Sequence, residues 1–161
     1  MHGTVAYLPA FPLRGGMCSI SLQVTDSHRV SQQWSTGGYF VRVTLKTLGL
    51  RIQLGHCPGE TCPNREPAFD DDFVVINVHA IHAVGLDFCG CEYATNRYRQ
   101  LLSARLFPAT VNDPRTAATF SVMGLFHLLS FESKVTAFEF FHTVARRMDN
   151  TGLTPIRVSV W

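Results

Sequence analysis

Apolar and polar residues alternate in three short stretches in the middle of the chain, and this period of two predicts β-strands there. The stretches lie near residues 50–54, 73–78 and 82–88. The second and third, FVVINV and IHAVGLDFC, are separated only around His79 and Ala80, which predicts a hairpin that turns at that point. The stretch CPGETCPNREPAFDDD between the first two strands contains three prolines and predicts a loop.

The spacing of apolar residues becomes helical in the last third of the chain. Asp113 followed by Pro114 is typical of a capped helix start, and TAATFSVMGLFHLL continues with helical periodicity. Ser133 is the expected cap of a further helix, SKVTAFEFFHTVARRMD, which we expect to end at Asn150 and Gly152. The pattern therefore predicts an α+β fold, with a small β-rich module followed by a helical segment.

The N-terminal residues 1–37 give weaker signals, because they are rich in glycine, proline and serine. Only SISLQV alternates there as a strand would. The following stretch, GGYFVRVTLKTLG, fits helical and strand spacing equally well, with Gly49 as a helix end in the first case. The sequence alone leaves the type of that element open.

Composition places the chain among folded proteins, with 46% hydrophobic and 16% charged residues over 161 positions. The formal net charge of +2 is too small to indicate nucleic-acid binding by itself. The sequence has no apolar run of about 18 residues and no signal-peptide pattern, so we expect an intracellular protein without a membrane span. A reducing compartment favours free thiols or metal ligands over disulfides.

The chain has an odd number of cysteines, five, and four of them lie close together. Cys57, Cys62, Cys89 and Cys91 fall within 35 residues, in a region that also contains several histidines. Thiols clustered with imidazoles are typical of a zinc site. Gly90, between the last two cysteines, can take a positive φ and turn both sulfurs toward one ion. The alternative for any one of these residues is a small hydrophobe buried in the core.

A structural zinc site needs four ligands at tetrahedral angles, so two must come from outside the Cys-Gly-Cys turn. The loop HCPGETC offers His56, Cys57 and Cys62. If the strands near 50–54 and 82–88 lie side by side, this loop and the turn meet at one edge. We therefore expect a zinc site formed by Cys62, the two cysteines of the turn and His56, with Cys57 as the alternate to its neighbour.

Other residues in this region are weaker ligand candidates. His79 and His82 flank the predicted hairpin turn and are further alternates, although exposed or core histidines are more common at such positions. The triplet Asp70, Asp71 and Asp72 invites comparison with a two-metal nuclease, but such sites assemble carboxylates from separate elements. Consecutive aspartates in a proline-rich loop indicate capping or solvation of that loop.

The densest basic and aromatic stretch contains Arg97, Arg99 and Arg105 beside Tyr93 and Tyr98. Cations contact backbone phosphates and aromatic rings stack on exposed bases, so these arginines are the candidate nucleic-acid surface. A solvated helix face would have the same composition, and the sequence does not decide between the two.

Several motifs occur in a fixed order along the chain: LGLRIQLGH, ETCPN, FVVINVHAIHAVGLDFCGCE, FPAT, DPRTAATF, LLSFESK and MDNTG. From about residue 28 to residue 153 the chain resembles the CxC2-like cysteine cluster domain associated with KDZ (Kyakuja, Dileera and Zisupton) transposases, especially fungal members. The resemblance implies zinc ligands at His56, Cys62, Cys89 and Cys91. In SHRVSQQWSTGGYF, the residues that match the family are His28, Trp34 and Phe40.

The chain also departs from that family. The family has further cysteines upstream, whereas residues 1–27 contain a single cysteine, so we expect His28 to be the remnant of a second zinc site. Because the sequence ends at Trp161, we also expect the transposase catalytic domain of the family to be missing. The expected organisation is a divergent segment at 1–27, a partial zinc-binding module at 28–92 and a helical region at 93–161 leading toward a missing catalytic domain.

The resemblance implies a non-enzymatic accessory module that is stabilised by a structural Zn²⁺ ion. Such a module is expected to act in the nucleus, in DNA binding or in assembly of the transposition complex. A zinc-dependent protein–protein interaction module is the alternative. Neither function involves a membrane or a small-molecule substrate.

Overall fold

A computed structural model describes residues 11–12, 18–19, 32–34, 36–47, 49–57 and 60–149. The strands within these ranges are β1 (Phe11–Pro12), β2 (Cys18–Ser19), β3 (Gln32–Trp34), β4 (Phe40–Arg42), β5 (Arg51–Gln53), β6 (Arg65–Pro67), β7 (Phe73–Ile76), β8 (Ile81–Cys89), β9 (Leu106–Pro108) and β10 (Thr116–Thr119). The α-helices are α1 (Arg97–Ser103), α2 (Phe120–Ser133) and α3 (Ala137–Met148).

Six of these strands form one mixed sheet in the order β5-β8-β7-β10-β9, with β6 paired to β8. The hairpin of β7 and β8 is antiparallel, and the Asn77 N–H donates to Ala80 O at 2.8 Å across its turn. β5 is parallel to β8, and β10 is parallel to β7. The predicted α+β fold, its three central strands and the hairpin are therefore confirmed.

Strand β7 lies inside the sheet and is buried on both faces, which explains its unbroken apolar run. Phe73 and Val75 belong to one core, and Val74 and Ile76 belong to another. The first core also includes Leu101 from α1, whereas α2 and α3 close the second. The sheet thus lies between α1 on one face and the pair α2 and α3 on the other. No helix in the described part of the chain is both long and apolar enough to cross a bilayer.

The predicted helix start at Asp113 and Pro114 is wrong. Residues 116–119 form β10 between β7 and β9, because burial of Ala117 in the first core outweighs the local helical spacing. Helix α2 begins only at Phe120, where the Thr119 side chain accepts a hydrogen bond from the Val122 N–H.

The predicted cap of the next helix is also wrong. Ser133 is the last residue of α2, and Lys134 follows it with a left-handed backbone. Thr136 caps α3 instead, because its side chain accepts from the Glu139 N–H while the Glu139 carboxylate accepts from the Thr136 N–H. α3 ends at Met148, and the end predicted at Asn150 lies outside the described residues.

The predicted loop at 57–72 contains a strand, β6, which pairs with the C-terminal half of β8. Sequence reasoning missed it because Pro67 lies in the strand, Pro63 lies two residues before it, and the three strand residues show no alternation of apolar and polar positions. The element left open around 40–48 is a short strand, β4, followed by a turn, and Gly49 takes a positive φ of 85° after it. Most of SISLQV lies outside the described residues. The predicted boundary between a zinc-binding module and a helical region at residue 92 stays a prediction, although strands from both sides of residue 92 share the sheet.

A charge network fixes β5 against β8. Asp87 is only 2% exposed, and the two Nη atoms of Arg51 donate to it and to Asp71, the latter at 2.7 Å. Arg65 Nη1 lies 3.9 Å from Asp87 Oδ2, and Lys46 Nζ lies 3.6 Å from Asp71 Oδ2. Asp71, one member of the aspartate triplet, therefore pairs with an arginine of β5, whereas capping or solvation of the loop was expected.

Candidate metal centre

The candidate ligands lie where two parallel strands end at one edge of the sheet. β8 ends at Cys89, and His56 follows the parallel strand β5 after a short connection. β6 is antiparallel to β8 in the register Arg65↔Cys89, which brings Cys62 to the same edge. The predicted side-by-side arrangement of the first and third strands is confirmed.

One nitrogen and three sulfur atoms converge at this edge. His56 Nε2 lies 3.2 Å from Cys89 Sγ and 3.6 Å from Cys91 Sγ. Cys62 Sγ lies 3.7 Å from Cys91 Sγ. The four ligand atoms all lie within 4.8 Å of one another, and the three cysteines are free thiols. The group can hold a single metal ion.

These separations match those around a four-coordinate ion. Metal–sulfur bonds of about 2.3 Å and metal–nitrogen bonds of about 2.0 Å at tetrahedral angles place two sulfurs about 3.8 Å apart. The same angles place a sulfur and a nitrogen about 3.5 Å apart. The Cys62–Cys91 separation of 3.7 Å and the two distances from His56, 3.2 and 3.6 Å, lie close to these values. Three of the six separations among the ligand atoms therefore already suit a single ion, and the remaining three are no longer than 4.8 Å.

The family model for the "CxC2 like cysteine cluster associated with KDZ transposases" matches residues 45–152, about two thirds of the chain. The chain belongs to this family. The matched range contains the four ligand candidates and all six strands of the sheet. No curated protein and no solved structure matches the chain.

Two glycines allow the chain segments of this CxC2 domain to approach closely at the centre. Gly55 has a φ of 80°, and a Cβ atom there would lie 2.4 Å from Cys89 Cβ. The predicted positive φ at Gly90 is wrong, since that residue is not among the described glycines with positive φ. A Cβ atom at Gly90 would lie 2.5 Å from Glu66 Oε1, so the Glu66 side chain would have to move to admit a larger residue.

Asn64 joins the loop that carries Cys62 to the turn that carries Cys91. Its Nδ2 donates to Gly90 O at 2.5 Å, and its own carbonyl oxygen accepts from the Gly90 N–H at 2.9 Å. The Cys62 thiol also lies 3.2 Å from this carbonyl oxygen. Sequence reasoning missed Asn64, although it stands in the ETCPN motif that carries the family resemblance.

Glu60 is a second residue that sequence reasoning missed. Its Oε2 lies 3.9 Å from His56 Nδ1, on the side of the imidazole away from the thiols, and accepts from the Cys57 N–H at 3.4 Å. This separation is too long for a hydrogen bond, but the carboxylate lies on the side where metal-bound histidines usually have a partner for their outer nitrogen. Its position four residues after the histidine is the signal that could have found it.

The thiols of the centre differ in acidity. Burial raises the pKa of the Cys89 thiol to about 11. The hydrogen bond with His56 lowers the pKa of the Cys91 thiol to about 7. Cysteine binds a metal as thiolate, so loading of this CxC2 centre releases protons.

The alternate ligands do not join this group. Cys57 and His82 lie outside it, and His82 precedes Cys89 by seven strand residues, or about 23 Å. His79 lies in the hairpin turn, where its Nδ1 is 3.2 Å from Arg147 Nη2. His28 lies outside the described residues, so the remnant of a second site stays a prediction.

The three candidate nucleic-acid residues have different surroundings. Arg97 is used internally, because its Nη2 lies 3.0 Å from Glu66 Oε2 and its Nη1 lies 3.2 Å from Asp113 Oδ1. Arg99 and Arg105 are exposed. A nucleic-acid surface of this CxC2 domain would therefore depend on the last two residues.

Proposed function

We propose that the chain is a zinc-binding, non-catalytic accessory module of a KDZ-type transposase. It acts in the nucleus, in DNA binding or in assembly of the transposition complex. The observation that carries this proposal is the group of three thiols and one imidazole whose ligand atoms all lie within 4.8 Å of one another. Membership of the CxC2 family supplies the transposase context.

The donor set fits zinc in a structural role. Thiolate and imidazole are the ligands of structural zinc sites, and three cysteines with one histidine is one of their usual combinations. Four protein ligands close the coordination sphere, whereas catalytic zinc keeps one position for water or substrate. His56, Cys62, Cys89 and Cys91 would hold the ion, which would supply a crosslink between the segment after β5 and the end of β8.

Metal analysis of purified protein tests the zinc assignment. We expect one zinc ion per chain in the wild type, and loss of that ion in Cys89→Ser and Cys91→Ser. Cys57→Ser is the matched control, because Cys57 is disulfide-bonded and lies outside the group, and we expect this variant to keep the ion. Well-folded wild-type protein without metal would contradict the assignment.

The exposed apolar side chains favour assembly over DNA binding as the role of the module. Phe131 on α2 and Phe138 on α3 are 74% and 72% exposed. Leu128, three residues before Phe131 on α2, is also exposed. Large apolar side chains on a surface are typical of protein interfaces. The candidate DNA surface, by contrast, has Arg97 neutralised by two carboxylates.

Two binding measurements distinguish the roles. A DNA-binding module would bind labelled duplex with an affinity that falls steeply between about 50 and about 200 mM salt. Arg99→Ala with Arg105→Ala would then weaken binding. An assembly module would bind the remainder of a KDZ transposase, and Phe131→Ser with Phe138→Ser would weaken that binding while leaving the metal content at one ion per chain.

A further inference from the structure

We propose that Gln53 and Gln100 are positioning residues of the metal centre, and that each holds the backbone of one ligand cysteine in place before the ion binds. This inference rests on the proposed zinc-binding function and adds residues to it. Gln53 lies on β5 and Gln100 lies on α1, and neither residue is one of the four candidate ligands.

Gln100 uses both ends of its carboxamide on Cys89. Its Oε1 accepts from the Cys89 N–H at 2.9 Å, and its Nε2 donates to the Cys89 carbonyl oxygen at 2.9 Å. The same Nε2 donates to Thr95 O at 2.7 Å. Gln100 is 4% exposed, so water does not compete effectively for these bonds.

The side chain of Gln100 takes the place of a missing strand partner. The Leu54 N–H donates to the Asp87 carbonyl oxygen at 2.9 Å, as the last backbone bond between the β5 segment and β8. Gly55 then turns the chain away with its φ of 80°. The backbone of Cys89, two residues beyond Asp87, faces the same edge of β8 and would be left without a partner. The carboxamide satisfies both of its polar groups.

Gln53 makes the corresponding contacts on the other ligand loop. Its Oε1 accepts from the Cys62 N–H at 3.0 Å, and its Nε2 donates to Glu60 O at 2.9 Å. Gln53 is the last residue of β5, so the loop that carries Cys62 is attached to the end of a strand. Each of the two ligand segments is therefore fixed by one glutamine from a neighbouring element.

Only a carboxamide of this length offers a donor and an acceptor at both places. Glutamate would lose the donor, and asparagine would be one methylene shorter. Groups that orient metal ligands without touching the ion change metal affinity by about 10–100-fold when they are removed. We expect a loss of this size from each glutamine, because an ion would then have to order its own ligand loop.

The test compares Gln100→Met and Gln53→Met with the wild type in zinc competition against a chelator of known affinity. Each variant is expected to bind Zn²⁺ about 10–100-fold more weakly while still binding one ion. Co²⁺ in place of zinc provides a second readout, because its visible absorption depends on the geometry of the thiolate ligands. We expect altered Co²⁺ spectra in both variants.

Leu101→Val is the matched control, since Leu101 is buried on the same helix as Gln100 and faces the first core. It should lower stability without changing zinc affinity or the Co²⁺ spectrum. Glutamine variants that match this control in affinity and spectrum would overturn the inference. A wild type that binds no metal would instead overturn the proposed function.

Amide hydrogen exchange of metal-free protein tests whether the centre is formed in advance. The Cys62 and Cys89 amides should exchange slowly in the metal-free wild type, and each should become fast in the variant that removes its glutamine. Fast exchange at both amides in metal-free wild type would show that the ion orders these segments, and the proposed positioning role would be wrong.

Discussion

The Sγ atoms of Cys62 and Cys91 lie 3.7 Å apart although 29 positions separate the two residues in the chain. The antiparallel pairing of β6 with β8 already brings these positions together through backbone hydrogen bonds. A metal ion bound there would reinforce a contact that the sheet makes by itself. The centre should therefore add stability to this fold without determining its topology.

Removal of the metal should leave the secondary structure intact. The first core, around Phe73, Leu86 and Phe88, contains none of the four ligand residues. We expect the far-ultraviolet circular dichroism spectrum to persist after treatment with a chelator. Zinc returned at 100 times its dissociation constant should raise the free energy of unfolding by about 2.7 kcal/mol. Collapse of the spectrum on chelation would contradict this expectation.

Replacement of Gly55 by alanine should weaken metal binding as well as stability. A positive φ costs a residue with a Cβ atom about 1–2 kcal/mol, and the new Cβ would also collide with Cys89 Cβ at 2.4 Å. Gly49 provides the matched control, because its φ is 85° and nothing lies within 4 Å of a Cβ there. Both substitutions should lower the unfolding midpoint, but only Gly55→Ala should lower zinc affinity. Equal zinc affinity in the two variants would show that the close approach at Cys89 is unimportant.

The buried carboxylate of Asp87 makes Arg51 important for stability. Arg51→Met should reduce the free energy of unfolding by about 3 kcal/mol, because it leaves a buried charge with only the more distant Arg65. Adding Asp87→Asn should recover part of the loss, since the charge is then gone. Lys46→Met, at a partly exposed pair, should cost about 1 kcal/mol or less. Urea unfolding measures all of these, and additive losses in the double variant would refute the coupling.

His82 should make stability depend on pH below neutrality. Burial lowers the pKa of this imidazole below its ordinary value of 6.5. The unfolded chain therefore binds more protons between the folded-state pKa and 6.5, and the free energy of unfolding falls as the pH falls through that window. The slope of urea midpoint against pH should be smaller in His82→Gln than in the wild type. Parallel profiles would mean that His82 makes no contribution.

The cap of α3 should be Thr136 and not Ser133. Thr136→Ala should lower the free energy of unfolding by about 1 kcal/mol, whereas Ser133→Ala should have little effect. Hydrogen bonds from Thr136 lower the pKa of Glu139, so this stabilisation is present above the ordinary value of 4.5 and is lost as the pH falls through the folded-state pKa. Thermal unfolding of both variants at pH 7 and pH 3 checks the residue and the sign. A larger effect from Ser133 would restore the assignment made from the sequence.

The sequence predicted the parts of the fold in which local pattern and burial agree. Strands β7 and β8 are apolar because both are covered, and a short turn joins them, so their pairing follows from neighbouring residues. β10 and β6 were missed because their strand conformation depends on distant partners. Thr116 pairs with Val74 and Arg65 pairs with Cys89, and neither contact is visible in a window of ten residues.

The sequence predicted the side chains that could bind the metal, but it did not predict the residues that position them. Cysteine and histidine identify themselves by residue type, and the structure brings the four expected residues together. The residues that hold their backbones, Gln53 and Gln100, have no such mark. A glutamine in a strand and another in a helix look like ordinary polar positions until the free backbone groups opposite them are known.

Strands that are distant in the sequence are neighbours in the sheet, and this has a consequence for the kinetics of folding. The β7–β8 hairpin needs only a short turn, and hairpins of this kind form in about 1–10 microseconds. Attachment of β5 brings together Arg51 and Asp87, 36 positions apart, and attachment of β10 brings together Asn77 and Thr119, 42 positions apart. Closing such long loops costs chain entropy before their contacts form. We expect the hairpin to nucleate folding and β5 to dock later, so that the ligand cluster is among the last parts of the molecule to assemble.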